Sequence, residues 1–454
     1  MQSFTLISYF IILIILGFAK RKASKPTAVN DYLLAGRKLS LPGFVITLVS
    51  TWYGGIIGIG ENTYLYGLQT WTIFGLPYYL FAIFFAFFVA GKINQLSTVS
   101  LSDQLYKHYG KVPGVIGAIY IFILSSPAPY LLSIGIIINH VTGLNYELSL
   151  MLVAVISVSY IWSGGLKAVI RTDFFQFFLM FSGFALLLFY SARFSNFSVE
   201  IFKSIPSNLL HPTGGASIQY IAAWFFIALW TFVDPGFYQR CAAAKSPGTA
   251  RNGILLSVCF WLIFDVLTLF SGLYARALLS DIDPSLAYIQ LAELVLPQFA
   301  IGIFSIGMLS VIMSTIDSLA FISATTFGRD IMWRIQNSQG SKNISDGDNA
   351  IPFVKKGLLI TILISLMIAL SIPSVIQIWY ILGSIIVPGL LIPFLMSFTK
   401  IKLDVITMMV APLFVSILWI INKNIFGFYP LGLEPFYPGI ITSMSICIFK
   451  WLKK

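Results

Sequence analysis

Apolar segments long enough to cross a bilayer follow one another along almost the whole chain of 454 residues. A membrane helix needs roughly 20 apolar residues, and only helices and closed barrels satisfy every backbone polar group in lipid. Hydrophobic residues make up 58% of the chain and charged residues 10%, which leaves no sizeable soluble domain. Hydropathy predicts an all-α polytopic membrane protein of about 13 transmembrane helices. The predicted segments are 3–19, 43–67, 70–92, 112–139, 147–165, 172–192, 217–240, 252–278, 297–322, 355–372, 374–398, 404–421 and 431–450.

The positions of the basic residues predict how the chain is oriented. If the segments alternate in direction, the 28 lysines and arginines all fall on one side except Arg193, Lys203, Arg276 and Lys423. Because basic residues are enriched in cytoplasmic loops, we predict an N-terminus outside and a C-terminus in the cytoplasm. The expected location is a plasma membrane of the bacterial inner membrane type. The net charge of +11 then reflects topology, and no nucleic-acid partner is implied.

Two of the predicted helices are interrupted at their centres. Four glycines lie between residues 54 and 60 in the second segment, and an Asp-Pro-Gly sequence at 234–236 interrupts the seventh. Interrupted helices five segments apart are typical of an inverted repeat whose breaks hold the binding site. We predict an anchor helix with its N-terminus outside and a basic cytoplasmic loop at 1–42, five-helix repeats at 43–192 and 217–398, and two C-terminal helices at 399–454. The alternative for the glycines is close helix packing.

Four acidic residues fall inside the predicted helices, with no central lysine or arginine to pair with them. These acids are Glu61, Asp234, Asp265 and Asp317. A carboxylate within a membrane usually faces the bundle interior and serves an ion or substrate path. We therefore expect a metal cation, a proton or a cationic solute to neutralise them. Glu61 has an alternative role at the N-terminal end of the outer half-helix, where the helix dipole favours an acid.

Hydroxyl groups occur at helical spacing in the ninth segment. Ser314, Asp317 and Ser318 share one helix face, Val311 lies one turn earlier, and Thr315 follows Ser314. Adjacent hydroxyls can point toward a neighbouring helix, and Na⁺ is a small hard cation that prefers oxygen ligands. In the alternative interpretation, each hydroxyl donates to the carbonyl four residues earlier in its own helix.

Taken together, these motifs make the chain similar to the sodium:solute symporter family from about Asp31 to about Phe394. The shared sequences are DYLLAGRKLSLPG at 31–43, STWYGG at 50–55, YIWSGGLKAVIRTDFFQ at 160–176, DPGFYQRCAAAK at 234–245, MSTIDS at 313–318 and WYILGSIIVPGLLIPF at 379–394. The resemblance implies the leucine-transporter fold, with two five-helix inverted repeats. It also implies alternating access driven by the sodium gradient.

The same resemblance implies a sodium site between the first broken helix and the helix that carries MST. Its ligands would be backbone carbonyl and side-chain hydroxyl oxygens, the carbonyls from Ser50, Tyr53 and Val311 and the hydroxyls from Ser314 and Thr315. The glycine run also permits an alignment that shifts the first two by one residue. Asp173 resembles the family acid on the cytoplasmic exit path of sodium, and its alternative role is to cap a helix after Thr172.

The residues at and beside the breaks predict a partly aromatic substrate site. Its members would be Trp52, Gly54, Gly55, Glu61, Trp230, Thr231 and Trp379. Aromatic faces attract an ammonium group, although aromatic residues in membrane helices also form interfacial belts. The chain lacks the acid that proline carriers have near the start of the broken region, and also the amide and acid set of sugar carriers. An acid in this pocket favours an amino acid or amine-like metabolite over a monocarboxylate.

These observations predict a secondary active transporter that couples Na⁺ to the symport of a small organic solute. One alternative is coupling through a proton on Glu61, and another is a membrane sensor that binds the solute without transporting it. No catalytic or metal spacing of histidine, cysteine or serine occurs in the predicted helices. We expect no enzyme activity, no organic cofactor and no metal other than Na⁺. The expected partners are the solute and the lipid bilayer, and the oligomeric state is left open.

Overall fold

A computed structural model describes residues 2–18, 29–336, 350–372, 374–399 and 404–452 of the chain. Residues 19–28, in the predicted anchor helix and basic loop at 1–42, and residues 337–349 lie outside the described residues. The described residues form helices and connecting turns, with one isolated β-bridge between Leu39 and Ala244.

The described residues of the first half of the chain form twelve α-helices. They are α1 (Gln2–Phe18), α2 (Val29–Leu34), α3 (Leu41–Trp52), α4 (Ile56–Tyr66), α5 (Gln69–Phe74), α6 (Leu76–Phe85), α7 (Gly91–Gln95), α8 (Leu101–Tyr109), α9 (Lys111–Leu124), α10 (Ala128–Thr142), α11 (Tyr146–Gly164) and α12 (Leu166–Phe194). A π-helical segment over Ala86–Ala90 joins α6 to α7.

The second half adds eleven α-helices among the described residues. They are α13 (Ile218–Ile227), α14 (Trp230–Val233), α15 (Pro235–Ala243), α16 (Pro247–Leu278), α17 (Ala287–Val295), α18 (Gln298–Thr325), α19 (Arg334–Gln336), α20 (Ile351–Ser371), α21 (Val375–Met396), α22 (Val405–Phe426) and α23 (Phe436–Leu452). A π-helical segment over Thr326–Trp333 joins α18 to α19.

Nine helices in the described part are long and apolar enough to cross a membrane, or ten if the bent pair α3 and α4 counts as one. Shorter apolar helices cover Ile7–Phe18, Tyr146–Trp162 and Phe436–Phe449. The predicted all-α polytopic class is confirmed. The count of thirteen and the boundaries of the two repeats stay predictions.

The first predicted break lies between α3 and α4. The two helices meet at an angle of 57°, and Tyr53 at the end of α3 has φ −96° and ψ 16°, outside helical values. The glycines also permit close packing, because a Cβ at Gly54 would overlap Thr315 and one at Gly55 would overlap Trp379. Both interpretations of the glycine run therefore hold: it breaks the helix and brings α18 and α21 against the break.

The second predicted break is also present. Asp234 has the extended values φ −69° and ψ 118°, and it separates α14 from α15. Its side chain accepts a hydrogen bond of 2.9 Å from the Phe237 amide and so caps α15. Proline follows at the first position of α15, where its missing amide proton costs nothing. The break exposes a helix end within the bundle.

Three helices converge beside the first break. α18 is buried along most of its length and packs against α12 and α3. Gly183 of α12 lies against Gly307 of α18, where a Cβ on Gly307 would come within 2.7 Å of the Leu179 carbonyl oxygen. Small residues at this contact allow the two helix backbones to approach closely. Polar side chains of α3, α12 and α18 are thereby brought together in the core.

Candidate functional site

The hydroxyl of Thr315 on α18 lies at the end of α3. Its oxygen is 2.9 Å from the Thr51 carbonyl oxygen and 3.1 Å from the Val311 carbonyl oxygen. Ser50, one residue before Thr51, is fully buried, and its hydroxyl has no hydrogen-bond partner among the described residues. Three oxygen atoms therefore meet where the resemblance implies a sodium ion. The carbonyl that Thr315 approaches is that of Thr51, in line with the alignment shifted by one residue.

Ser314 joins this cluster to Asp173 of α12. The Ser314 hydroxyl donates to Asp173 Oδ1 at 2.6 Å, and the Thr47 hydroxyl donates to the other oxygen of the same carboxylate. Asp173 lies in the eighth position of α12, well beyond its first turn. The alternative role of Asp173 as a helix cap is therefore wrong. The carboxylate instead connects α3, α12 and α18 directly beside the predicted sodium ligands.

The expectation that no basic residue lies centrally among the acids is wrong, because Arg240 of α15 is fully buried. Its Nη2 donates to the Thr51 hydroxyl at 2.9 Å, the Ser318 hydroxyl at 2.8 Å and the Thr47 hydroxyl at 3.2 Å. The sequence placed Arg240 at the end of the seventh segment. The break at Asp234 instead starts a new helix, which carries Arg240 into the core.

Asp317 of α18 occupies a separate position from Asp173. It is fully buried, and the Tyr160 hydroxyl of α11 donates to its carboxylate. Its neighbour Ser318 instead hydrogen-bonds the Thr51 hydroxyl at 2.9 Å. The shared helix face of Ser314, Asp317 and Ser318 is thus polar along its length, but its members contact three different surroundings.

A cavity of about 120 Å³ lies beside the first break. Eight of its 17 lining residues are aromatic. We call six of these the aromatic wall: Trp52, Phe74, Tyr78, Tyr130, Trp230 and Trp379. They come from α3, α5, α6, α10, α14 and α21, so the cavity lies between the two broken helices and their neighbours. Trp52 meets Tyr78 edge to face at 5.1 Å, and the Trp379 indole donates to the Tyr130 hydroxyl at 3.3 Å.

Three ionisable side chains also line this cavity: Asp234, Asp265 and Arg240. Asp265 lies on α16, where the Tyr79 hydroxyl of α6 donates to its carboxylate and the Tyr53 hydroxyl lies beside it. Asp234 caps α15, as described above. The cavity therefore combines aromatic side chains with two carboxyl groups and a guanidinium. Such a lining suits a small solute that has an apolar body and ionic groups.

The structure brings some of the predicted substrate residues to the cavity and leaves others away from it. Trp52, Gly55, Trp230 and Trp379 line it, as does Tyr53. Gly54 packs against Thr315 beside the predicted sodium ligands instead. Thr231 is buried, and its hydroxyl has no partner among the described residues. Neither of these two residues is among those that line the cavity.

Glu61 also lies outside the lining. It occupies the sixth position of α4, past the first turn, so its alternative role at the N-terminal end of the half-helix is wrong. It is partly exposed, and the carboxylate near it is that of Asp283, in the turn before α17. The acid that faces the cavity from outside the broken helices is Asp265.

Sequence reasoning missed Tyr78, Tyr130 and Arg240. Tyr78 lies in an ordinary apolar run and carries no local signal. Tyr130 follows a third interruption, where α9 ends at Leu124 and α10 begins at Ala128. The Ser-Ser-Pro-Ala-Pro sequence at 125–129 signals that interruption. Arg240 is followed by Cys-Ala-Ala-Ala, and this apolar continuation indicates that the arginine is not at a membrane surface.

The chain is similar in sequence to known transporters. The chain is 22% identical over 396 residues to the high-affinity choline transporter 1 of Drosophila melanogaster. The aligned region covers 83% of this chain and 63% of the choline transporter, which is longer. It is 24% identical over 355 residues to the sodium/pantothenate symporter of Escherichia coli (strain K12), covering 74% of this chain and 73% of the relative.

A solved structure shows the same fold. It is the substrate-bound, outward-open state of a Na⁺-coupled sialic acid symporter, with a TM-score of 0.79 at 16% identity. The match covers 98% of this chain and 95% of that chain, so the predicted leucine-transporter-like fold is confirmed. The model of the Sodium:solute symporter family matches residues 32–404. The chain is therefore a multi-pass membrane protein that belongs to the sodium:solute symporter family.

Proposed function

We propose that this protein is a secondary active transporter that couples Na⁺ to the symport of a small ammonium-bearing solute by alternating access. The main observation in favour of a sodium site is that the Thr315 hydroxyl lies against the Thr51 and Val311 carbonyls at the end of α3. A hydroxyl and two carbonyls that approach each other within about 3 Å leave room for a small cation once the hydroxyl proton turns away. Ser314 adds a fourth oxygen and connects the group to Asp173.

Asp173 is the proposed exit-path residue for sodium. A carboxylate beside the ion favours its release from the hydroxyl ligands, because the ion gains a new oxygen ligand as it loses the old ones. The Thr47 and Ser314 hydroxyls hold this carboxylate in place from both sides. The proposed path therefore runs from the end of α3 along the contact between α12 and α18.

The aromatic wall supports an ammonium group on the solute. Trp, Tyr and Phe faces attract a cation by about 0.5–2 kcal/mol each when water is excluded. Asp265 adds a carboxyl group to the same cavity. The relative named as a choline transporter is similar over 83% of this chain. An amino acid or amine-like metabolite is therefore favoured over a simple monocarboxylate.

The thermal stability of the detergent-purified protein tests the choice of ion. Ligand at 100 times its dissociation constant stabilises the bound state by about 2.7 kcal/mol. We expect a higher melting temperature in NaCl than in KCl of equal ionic strength, and loss of this difference when Ser314→Ala is combined with Thr315→Ala. The matched control is Thr325→Ala on the same helix, since the Thr325 hydroxyl only donates to the Phe321 carbonyl at 2.8 Å.

Two alternative functions, proton-coupled transport and solute sensing, predict different results for the same purified protein. Proton coupling predicts no sodium shift and a pH-dependent uptake that Glu61→Gln abolishes. A sensor predicts sodium and solute binding without counterflow of labelled choline or proline in proteoliposomes. Sodium-specific stabilisation that persists in the Ser314 and Thr315 double variant would refute the proposed ligands.

A further inference from the structure

The guanidinium of Arg240 is buried in the protein without a charged partner in contact. No carboxylate of the described residues lies within 4.0 Å of it, and its Nη1 and Nε have no hydrogen-bond partner among them. Only Nη2 is engaged, by three neutral hydroxyls. Asp173 and Asp234 interact with the guanidinium through space without contacting it. A buried charge bears a large desolvation cost when no ion of opposite sign contacts it, and Nε and Nη1 are left without a hydrogen-bond partner among the described residues.

Arg240 lines the same cavity as the aromatic wall and Asp265. Gly236, one turn earlier on α15, also lines it, and a Cβ there would lie 3.4 Å from Arg240 Nη1. Without a side chain at Gly236, the cavity stays open beside this nitrogen, and Asp234 Oδ1 lies at the same opening, 2.9 Å from that Cβ position. Nη1 of the guanidinium can donate a charge-assisted hydrogen bond to a carboxylate oxygen in the cavity.

We propose that the transported solute is a small zwitterion whose carboxylate binds Arg240 while its ammonium group binds the aromatic wall and Asp265. This inference rests on the proposed function and names the chemical class of its solute. The cavity of about 120 Å³ is comparable with the roughly 150 Å³ apolar cavity that accepts benzene, so the solute has on the order of six to ten non-hydrogen atoms.

Because Arg240 lies near the proposed sodium ligands, the solute carboxylate that binds it also affects the coupling between solute and sodium binding. Its Nη2 donates to Thr51 and Ser318, and the Thr51 carbonyl faces the Thr315 hydroxyl. A sodium ion at that hydroxyl and the guanidinium repel each other. A carboxylate on Arg240 offsets this repulsion, so the solute raises the affinity for sodium. By linkage, sodium raises the affinity for the solute by the same factor.

Two ligands with the same ammonium group test the claim on the unaltered protein. Glycine betaine carries a carboxylate where choline carries a hydroxymethyl group, and both are measured by isothermal titration calorimetry in NaCl and in KCl. A hydrogen-bonded charge pair predicts that glycine betaine binds about 10- to 100-fold more tightly than choline in NaCl. The carboxylate 3,3-dimethylbutyrate, which has carbon in place of the nitrogen, should bind more weakly than glycine betaine.

The second readout is the ratio of the affinities in NaCl and KCl. We expect sodium to raise the affinity for glycine betaine by a larger factor than that for choline, because only the former neutralises Arg240. The variant Arg240→Gln should remove the preference for glycine betaine over choline, and Arg240→Lys should restore part of it. Arg251→Gln is the control, since Arg251 is exposed on α16 and bonds only its neighbour Asn252 at 3.2 Å.

Several results would overturn the inference. They are choline binding as tightly as glycine betaine, an equal loss of both ligands in Arg240→Gln, or failure of glycine betaine, dimethylglycine and proline all to bind. Because the ligand series uses the native protein, a variant that fails to fold does not remove the test. If one of these results is obtained, a sodium-dependent melting shift measured without solute would still support the proposed sodium site, so that only the zwitterion is rejected. Absence of that shift would reject the sodium site as well.

Discussion

The contact between Gly54 and Thr315 makes one substitution diagnostic for the site. In Gly54→Ala, the added Cβ would overlap the Cβ, Cγ2 and Oγ1 atoms of Thr315. Forcing an extra methyl into a packed core costs about 1–3 kcal/mol. If Thr315 turns away, its hydrogen bond to the Thr51 carbonyl is also lost, at about 1 kcal/mol. The variant should therefore be destabilised by about 2–4 kcal/mol.

The same displacement should remove the response to sodium. The Thr315 hydroxyl is a proposed ligand, so the stabilisation of about 2.7 kcal/mol at 100 times the dissociation constant should largely disappear. Melting temperatures of wild type and Gly54→Ala are compared in NaCl and KCl. Gly91→Ala is the control: Gly91 has helical φ −64° and ψ −37°, and a Cβ there would lie 3.7 Å from Pro247, an ordinary contact.

Alanine is more favourable than glycine within a helix by about 1 kcal/mol, so the Gly91 control should melt at or above the wild-type temperature. A Gly54→Ala protein with the wild-type melting temperature and the wild-type sodium shift would refute the reasoning. It would mean that α18 can move away from the break without disturbing the ion.

Three further predictions concern single side chains. Ser314→Ala should weaken the sodium-dependent melting shift while Thr325→Ala leaves it intact, and equal shifts in the two variants would exclude the Ser314 hydroxyl as a ligand. Tyr79→Phe removes the donor to the cavity carboxylate on α16, so calorimetry should show solute affinity altered about fivefold or more with the sodium shift preserved; an altered sodium shift would contradict it. Arg329→Gln breaks a buried ion pair of 3.0 Å with Asp103 and should destabilise the protein by about 3–5 kcal/mol, which a melting temperature within a degree of wild type would disprove.

The breaks in the fold were predictable because glycine and proline act locally. Any apolar helix with four glycines between 54 and 60, or with Asp-Pro-Gly at its centre, loses backbone hydrogen bonds at those positions. The sequence therefore located both breaks, at Tyr53 to Gly55 and at Asp234. The adjacent hydroxyls of Ser314 and Thr315 were also expected to point toward a neighbouring helix: Thr315 faces the end of α3, and Ser314 faces Asp173 of α12.

The residues that the sequence did not identify depend on how helices are arranged in space. Tyr78 and Tyr130 reach the cavity only because α6 and α10 pack beside the breaks. The sequence of neither segment indicates which helix it packs against. Glu61 was a candidate for the cavity because it follows the glycines, but the 57° bend carries it past the lining. Arg240 was placed at the end of the seventh segment because that segment was treated as one helix, whereas the break at Asp234 begins a new helix that carries the arginine into the core.

The proposed ion and solute sites meet at two consecutive residues, and this limits how coupling can work. The Thr51 carbonyl faces the Thr315 hydroxyl, whereas the next side chain, Trp52, lies in the aromatic wall. A solute that holds the Trp52 ring also fixes the backbone carbonyl one residue earlier, because the two share a peptide unit. Arg240 contacts the Thr51 hydroxyl as well. Coupling between the two sites then requires no extended pathway. It requires only that the end of α3 has the same geometry when it binds sodium as when it binds the solute.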